Sequence, residues 1–157
     1  MKRIAISSCF LHPNRYNGET VHNTAVASFL DLLRKNNIAI IPFCPEQLGG
    51  LPTPRAPAEI QGKQVTTQDG NDVAPAFKQG AQATLELLKQ QKISVALVKQ
   101  KSPSCGFGKI YDGKFSGTLI AGNGITAELL HQNGITLYTE DDLQNPQSII
   151  DVHFSSL

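Results

Sequence analysis

The sequence predicts a small Rossmann-like α/β domain with three layers and a mostly parallel sheet. Short apolar segments alternate along the chain with segments in which apolar residues recur at helical spacing. Strands that alternate with helices are joined by right-handed crossovers, which place helices on both faces of a parallel sheet. The length of 157 residues suffices for one hydrophobic core, so we expect a single domain over residues 1–157.

The first half of the chain contains two predicted strands and one helix. Residues 4–8 and 38–43 are short, apolar and rich in β-branched side chains, as buried strands are. Between them, apolar residues recur at helical spacing over 21–35. Residues 45–72 contain several prolines and little periodicity, which predicts a long loop with a short strand at 63–67. A loop of this length in a compact domain is usually functional.

The second half repeats the alternation of helix and strand. Asp72 is suited to cap a helix because its carboxylate can accept a backbone N–H, and Pro75 is tolerated in a first turn. The last dozen residues show no decisive pattern. The predicted elements are a helix from Asp72 to residue 91, a strand at 93–98, a small hairpin within 109–117, a helix from 122–124 to Gly134, a strand at 135–139 and a short turn at 141–143.

Composition and charge exclude several classes of function. The chain is 40% hydrophobic and 17% charged, as soluble domains are, and its formal net charge is +1. A charge this small gives no general attraction to nucleic acid or to anionic lipid, so we expect neither partner. The start of the chain does not resemble a signal peptide, and no apolar run is long enough to span a membrane. We therefore expect a cytoplasmic protein.

Three cysteines follow three predicted strands. Cys9 comes directly after the first strand, Cys44 after the second, and Cys105 lies in a glycine-rich and proline-containing loop, residues 99–113, after the third. Carboxyl ends of parallel strands meet at one edge of a sheet, where ligands bind in such folds. The odd number of cysteines fits a disulfide framework poorly. The alternative is that all three are inert core thiols.

Three convergent thiolates can hold a metal in two ways. They could bind zinc with an open fourth position, or three irons of a [4Fe-4S] cluster whose fourth iron is exposed. The absence of any Cys-x-x-Cys pair disfavours a zinc finger or a ferredoxin-type cluster. We assign none of the four histidines to a metal. The all-sulfur donor set favours iron–sulfur over zinc.

Four segments form motifs that span roughly residues 3–143, which is nearly the whole chain. They are Ser8-Cys9 with Arg15-Tyr16-Asn17-Gly18, Cys44-Pro45-Glu46-Gln47-Leu48-Gly49-Gly50 with Arg55 and Glu59, Lys101-Ser102-Pro103-Ser104-Cys105-Gly106 with Tyr111-Asp112-Gly113, and residues 122–127. These segments resemble motifs of the thiouracil desulfidase family of bacteria. One departure is that the family commonly reads Ala-Cys-Leu-Leu-Gly where residues 8–12 read Ser-Cys-Phe-Leu-His. That change affects the pocket wall and not the thiol.

The resemblance implies a cofactor, a reaction and two catalytic residues. Cys9, Cys44 and Cys105 would bind a [4Fe-4S] cluster whose fourth iron takes the sulfur of a thiolated pyrimidine such as 2-thiouracil. The products would be uracil and sulfide, without net redox change. Glu46 matches the family's essential carboxylate, a candidate general acid/base, and Ser102 its hydroxyl. A different class of function is a cluster- or metal-binding module that stores or delivers sulfide without turnover.

Other residues of the matching segments are candidates for contact with the substrate. Arg15 and Tyr16 could line the pocket, with Tyr16 stacking on a pyrimidine, and Ser104 is a second choice beside Ser102. Arg55 and Glu59 could form an ion pair that pins the long loop, or could contact the substrate. Three lysines could raise the local potential, although solvated lysines are the simpler interpretation: Lys99, Lys101 and Lys109.

Overall fold

A computed structural model describes residues 2–13 and 15–155. Strands and helices alternate over most of this length, as the sequence predicts. The elements in chain order are β1 (Arg3–Ser7), α1 (Thr24–Lys35), β2 (Ala39–Phe43), α2 (Pro45–Leu48), β3 (Ala58–Gln61), β4 (Gln64–Thr67), α3 (Ala74–Gln90), β5 (Val95–Val98), β6 (Phe107–Tyr111), β7 (Leu119–Asn123), α4 (Ile125–Gln132), β8 (Thr136–Thr139) and α5 (Pro146–Phe154).

The main sheet has four parallel strands in the order β2-β1-β5-β8. Ala5 of β1 pairs with Ile41 on one side and with Ala96 on the other, so β1 is an interior strand. The chain moves outward from β1 to β2 and then returns to the other side of β1 to form β5. This reversal places a crevice at the carboxyl ends of β1 and β5, the usual ligand site of open α/β sheets.

Helices cover both faces of the sheet. On one face α1 and α5 bury Phe29, Leu33 and Phe154 against Ile4 and Ile6. On the other face α3 and α4 contribute the apolar side chains that pack on Ala5, Ala96 and Val98, among them Leu85, Leu88 and Leu130. The three-layer α/β class predicted from the sequence is confirmed. No helix of the described part of the chain is long and apolar enough to cross a membrane.

Two antiparallel hairpins lie outside the main sheet, β3–β4 and β6–β7. They share a small core with the start of α3, formed by five buried residues: Ile60, Val65, Ala74, Phe77 and Ile110. The predicted strand at 63–67 is confirmed as β4, the second strand of a hairpin. The prediction of a loop was wrong for α2 and for β3. The β6–β7 hairpin is wider than predicted, because its strands run from Phe107 to Asn123.

The helices differ from the prediction in the start of α1, in the cap of α3 and in the presence of α5. Helix α1 begins at Thr24, because the side chain of Asn23 accepts the backbone N–H of Val26 and stops the helix from extending back to residue 21. Asp72 lies two residues before α3, yet its carboxylate accepts the N–H of Ala74 at 3.0 Å, close to its predicted role. Helix α5 was not predicted.

Candidate active site

A cavity of about 740 Å³ lies at the carboxyl edge of the main sheet. Its wall includes Ser7 at the end of β1, Phe43 at the end of β2 and Lys99 just after β5. The volume lies within the range of small-molecule pockets. The same cavity is lined by all eight residues selected from the sequence: Cys9, Cys44, Cys105, Glu46, Ser102, Arg15, Tyr16 and Ser104.

Cys9 is held in a tight turn that continues directly from β1. Residues Ser8–Phe10 form one turn of 3-10 helix, in which the carbonyl of Ser8 accepts the N–H groups of Leu11 and His12. The carbonyl of Cys9 accepts the N–H of Val21 at 2.7 Å, which ties the turn to the segment before α1. The thiol of Cys9 is half-buried and free.

Cys44 precedes the short helix α2, which also carries Glu46 in its first turn. The backbone of α2 packs directly on the backbone of α3 where two glycines meet. A Cβ atom on Gly49 would lie 2.0 Å from the carbonyl oxygen of Ala76, and a Cβ on Gly80 would lie 1.8 Å from that of Pro45. Larger residues at either position would separate the helices, so the close contact fixes where Cys44 and Glu46 stand.

Cys105 lies in a turn that is closed by side-chain and backbone hydrogen bonds. The hydroxyl oxygen of Ser102 accepts the N–H groups of Ser104 and Cys105, each at 3.1 Å. The carbonyl of Ser104 accepts two N–H groups from the first turn of α4. A Cβ on Gly124 would lie 2.4 Å from that carbonyl oxygen. The turn therefore sits against the start of α4 with no room between them.

Residues that the sequence did not single out support this turn. Ser7 is 2% exposed, and its hydroxyl accepts the N–H of Lys99 at 3.1 Å and hydrogen-bonds the thiol of Cys105. The side chain of Gln100 bonds both the N–H and the carbonyl of Phe107. Glu140, at the end of β8, accepts the N–H of Gln100 and pairs with the ammonium of Lys99 at 3.2 Å. Only tertiary structure brings these groups together.

The three thiols share one electrostatic environment. Burial raises the pKa of Cys9 to about 12, and the neighbouring charge of Lys99 opposes this rise while the thiolate of Cys44 adds to it. Burial likewise raises the pKa of Cys105, against the hydrogen bond from Ser7 and together with the charges of Cys9 and Cys44. Without a metal, Cys9 and Cys105 are therefore neutral at pH 7, and metal binding must displace their protons.

The donor set of the cavity consists of three thiols. A zinc ion requires its thiolate sulfurs about 2.3 Å from one point. Within residues 2–13 and 15–155, no group of three His, Cys, Asp or Glu side chains is placed to hold one metal ion. An iron–sulfur cluster binds each thiolate to a different iron, so its ligands stand farther apart. None of the described residues that line the cavity is a histidine, so the donors are soft sulfur atoms.

Glu46 is oriented by Arg55. The carboxylate oxygen Oε2 of Glu46 accepts hydrogen bonds from Nε of Arg55, at 3.0 Å, and from its Nη2. Both side chains are mostly buried, at 15% and 8% exposure. The backbone N–H of Arg55 also donates to the carbonyl of Tyr16 at 2.7 Å. Arg55 thus joins two walls of the cavity.

Arg55 and Glu59 do not form the ion pair that was one of the two alternatives for them, since Arg55 pairs with Glu46. Glu59 instead accepts the backbone N–H groups of Gly113 and Phe115. A carboxylate can satisfy several N–H donors, and the β6–β7 loop presents two at the position of Glu59. Glu59 therefore holds a loop in place, and that loop is the one between β6 and β7.

The remaining candidates occupy different environments in the cavity wall. Tyr16 is 38% exposed, and the guanidinium of Arg15 lies 5.3 Å from the centre of its ring. Ser104 is 1% exposed, and its hydroxyl shares a hydrogen bond of 3.0 Å with that of Thr126. Lys99 and Lys101 line the cavity. Lys109 is not among the lining residues and pairs with Asp141 at 3.8 Å.

Comparison with known proteins gives three concordant similarities. The profile of the family described as 2-thiouracil desulfurase matches residues 4–142. The protein YbbK of Bacillus subtilis (strain 168), described as uncharacterized, is 37% identical in an alignment of 153 residues that covers 90% of this chain and 98% of that protein. A solved structure of a [4Fe-4S]-dependent thiouracil desulfidase, TudS, superposes with a TM-score of 0.86 at 41% identity, over 97% of this chain and 99% of that one.

Proposed function

The chain belongs to the 2-thiouracil desulfurase family, and on that premise we propose that it is an iron–sulfur enzyme that converts a thiolated pyrimidine such as 2-thiouracil into uracil and sulfide. The membership confirms the resemblance indicated by the sequence motifs. The observation that carries the proposal is that one cavity is lined by three free thiols, a carboxylate and a hydroxyl. The similar TudS protein is described as [4Fe-4S]-dependent.

We assign the cluster ligands to Cys9, Cys44 and Cys105. Three soft donors in one cavity suit this group, and they leave one iron without a protein ligand. When bound, such a cluster supplies a Lewis-acidic iron that suits the soft sulfur of a thiocarbonyl. The nearby ammonium of Lys99 offsets part of the negative charge that the thiolates gather. Three free thiols and no disulfide also fit a reducing compartment, so we place the protein in the cytoplasm.

Glu46 is the proposed general acid/base. Arg55 holds its carboxylate in one orientation, at the wall of the cavity that also carries Cys44. There it can take a proton from the water that attacks the ring carbon bearing sulfur, and return a proton to the ring nitrogen or the departing sulfur. Water supplies the oxygen of uracil, and its two hydrogens leave with the sulfur as hydrogen sulfide. No electrons are gained or lost.

Ser102 is proposed to orient water or substrate. Its oxygen already accepts two backbone N–H groups, so what remains is the hydroxyl hydrogen, which it can donate. Donation suits an attacking water or a ring carbonyl as the acceptor. Arg15, Tyr16 and Ser104 stay as proposed substrate contacts, and the exposed Tyr16 has the better access, since Ser104 is bonded to Thr126.

The test is turnover by protein reconstituted with iron and sulfide under anaerobic conditions. We expect 2-thiouracil to give uracil and sulfide in equal amounts. Glu46→Gln should retain the iron content and lose at least about 100-fold in kcat, since it removes proton transfer. Glu86→Gln, an exposed carboxylate on α3, is the matched control and should behave as wild type.

Two outcomes would contradict the proposal. Full activity of Glu46→Gln would remove Glu46 from the acid/base role. Tight binding of sulfide by the reconstituted wild type without formation of uracil would support a sulfide-storing module instead.

A further inference from the structure

Phe115, in the loop between β6 and β7, has an unusual backbone conformation. Its φ is +54°, a left-handed value that is rare for a bulky side chain. Asn37 and Lys92 share that conformation, but each follows the end of a helix, where such a residue is common. Lys101 and Phe115 have no helix end to explain them, and both line the cavity. Strain of this kind gathers at functional sites when the surroundings impose it.

The residues around Phe115 impose its left-handed backbone conformation. Oε1 of Glu59 accepts the N–H of Gly113 at 3.1 Å and that of Phe115 at 3.2 Å. Gly113 packs so closely on β3 that a Cβ there would lie 2.7 Å from the Cβ of Gln61. The N–H of Asp112 donates to the carbonyl of Thr118 and closes the loop at 3.0 Å. Hydrogen bonding and packing therefore hold Phe115 in its strained conformation.

Phe115 is one of five described aromatic residues that line the cavity. Among the aromatic residues that line it, Phe43 and Phe77 are buried at 3% and 1% exposure and belong to the cores. Tyr16 already has the Arg15 guanidinium against its ring. Phe115 and Tyr111 are both half-buried, and neither takes part in the ring–ring or cation–ring contacts found among the described residues. Of these two, only Phe115 has a left-handed backbone conformation. A flat aromatic face next to a catalytic cavity suits a planar heterocycle.

We infer that the pyrimidine ring of the substrate stacks on Phe115, and that Glu59 is the positioning residue that holds this ring in place. The inference rests on the proposed function, since it names the group that recognises the heterocycle while other residues act on its sulfur. Stacking depends on the π-face and not on ring substituents, so this contact accepts any thiolated pyrimidine that fits the cavity.

The experiment compares Phe115→Leu, Phe115→Tyr and Phe107→Leu in reconstituted protein. Phe107 is the matched control, because it is a half-buried phenylalanine of the same hairpin whose ring packs 5.4 Å from that of His131. We measure KM and kcat with 2-thiouracil and, by calorimetry, Kd for uracil, which has no sulfur to bind iron. Phe115→Leu should raise KM and the uracil Kd by about fivefold or more. Its kcat and iron content should stay near wild type.

Conservative variants separate positioning from structural support. Phe115→Tyr should keep KM within about twofold of wild type, since it keeps the π-face. Glu59→Gln retains an oxygen that can accept the two N–H groups and should bind uracil better than Glu59→Ala does. Glu59→Ala should raise KM as Phe115→Leu does, with iron content unchanged.

The failure of the inference and the failure of the proposed function have different signatures. An active Phe115→Leu enzyme with wild-type KM and uracil Kd would overturn the inference alone. So would a Phe115→Tyr variant that binds uracil as weakly as Phe115→Leu. A reconstituted wild type that makes no uracil from 2-thiouracil would overturn the proposed function instead.

Discussion

The two sides of the cavity are held in place by different means. The sheet side carries the cysteines. Main-chain contacts fix it, α2 on α3 and the turn of Cys105 on α4, and side-chain hydrogen bonds of Ser102 and Gln100 support that turn. The hairpin side carries Arg55, Glu59 and Phe115 around a small core, and side-chain hydrogen bonds join it to its neighbours. A side-chain hydrogen bond is lost when its residue is replaced, whereas a main-chain contact is lost only when an added side chain does not fit. We therefore expect the side with the cysteines to tolerate fewer changes at its glycines, and the hairpin side to set substrate preference.

Removal of a proposed ligand should give the largest effect. We expect Cys44→Ala to lose the cluster and all measurable turnover, since a missing thiolate leaves an iron without its protein ligand. Arg55→Lys, on the hairpin side, should keep the cluster but lose about 10- to 100-fold in kcat, because lysine cannot hold Glu46 with a planar fork. Iron and acid-labile sulfide analysis measures both. Loss of iron in Arg55→Lys would show that the hairpin side also determines cluster binding, contrary to this prediction.

A methyl group at the joint between the Cys105 turn and α4 should give the next largest effect. The added Cβ of Gly124→Ala meets backbone atoms of Ser104 and Cys105 between 2.4 and 2.9 Å, so the turn and the helix must move apart. Overpacking of this kind costs about 1–3 kcal/mol. We expect Tm to fall by about 2–10 °C and iron content to fall with it. A variant with wild-type Tm would show that the sheet side is not rigid.

Alkaline pH should weaken the cluster-free protein. The pKa of Cys9 is about 12 in the folded state and about 8.5 in an unfolded chain, so the folded state keeps a proton that the unfolded state releases. The contribution of Cys9 to the free energy of unfolding is therefore fully present below pH 8.5. It declines as pH rises toward 12, by about 2 kcal/mol at pH 10. Urea unfolding at pH 7 and pH 10 measures this decline. Cys9→Ala should show a smaller decline, and an equal one would contradict the assignment.

The smallest effect should come from the layer farthest from the chemistry. Burial lowers the pKa of His153 on α5, whose Nε2 lies 2.8 Å from the hydroxyl of Tyr138. Because the unfolded state then binds the proton more readily, stability should fall as pH falls below about 6.5. His153→Gln should flatten that slope in urea unfolding between pH 7 and pH 5.5. Uracil formation and iron content at pH 7 should not change in this variant.

The sequence was sufficient for the sheet edge because that edge is encoded locally. Each cysteine follows an apolar strand directly or after a short loop, and parallel strands share an edge, so three local patterns together predicted that the thiols line one cavity. Helix α5 escaped prediction because its buried residues Ile149, Ile150 and Phe154 give only a weak period over nine residues. The buried face of α5 packs against α1, and the local sequence of α5 carries no information about that distant contact.

The missed contacts are those between segments far apart in the chain. Glu59 has no local partner, and its two N–H donors come from a loop more than fifty residues later. The pairing of Arg55 with Glu46 crosses only nine residues, yet the turn between them is irregular and gives no periodic signal. Ser7 and Gln100 are buried polar residues next to strands, and only the assembled sheet shows what they bind.

The contact between Gly49 and Gly80 also bears on which inorganic group the protein accepts. Main-chain atoms have no alternative rotamers, so the backbone around Cys44 adjusts little to a bound group of another size. Metal selectivity in proteins depends on geometry as well as on donor type. We therefore expect the two glycines, which do not line the cavity, to influence the size of the inorganic group that binds beside Cys44.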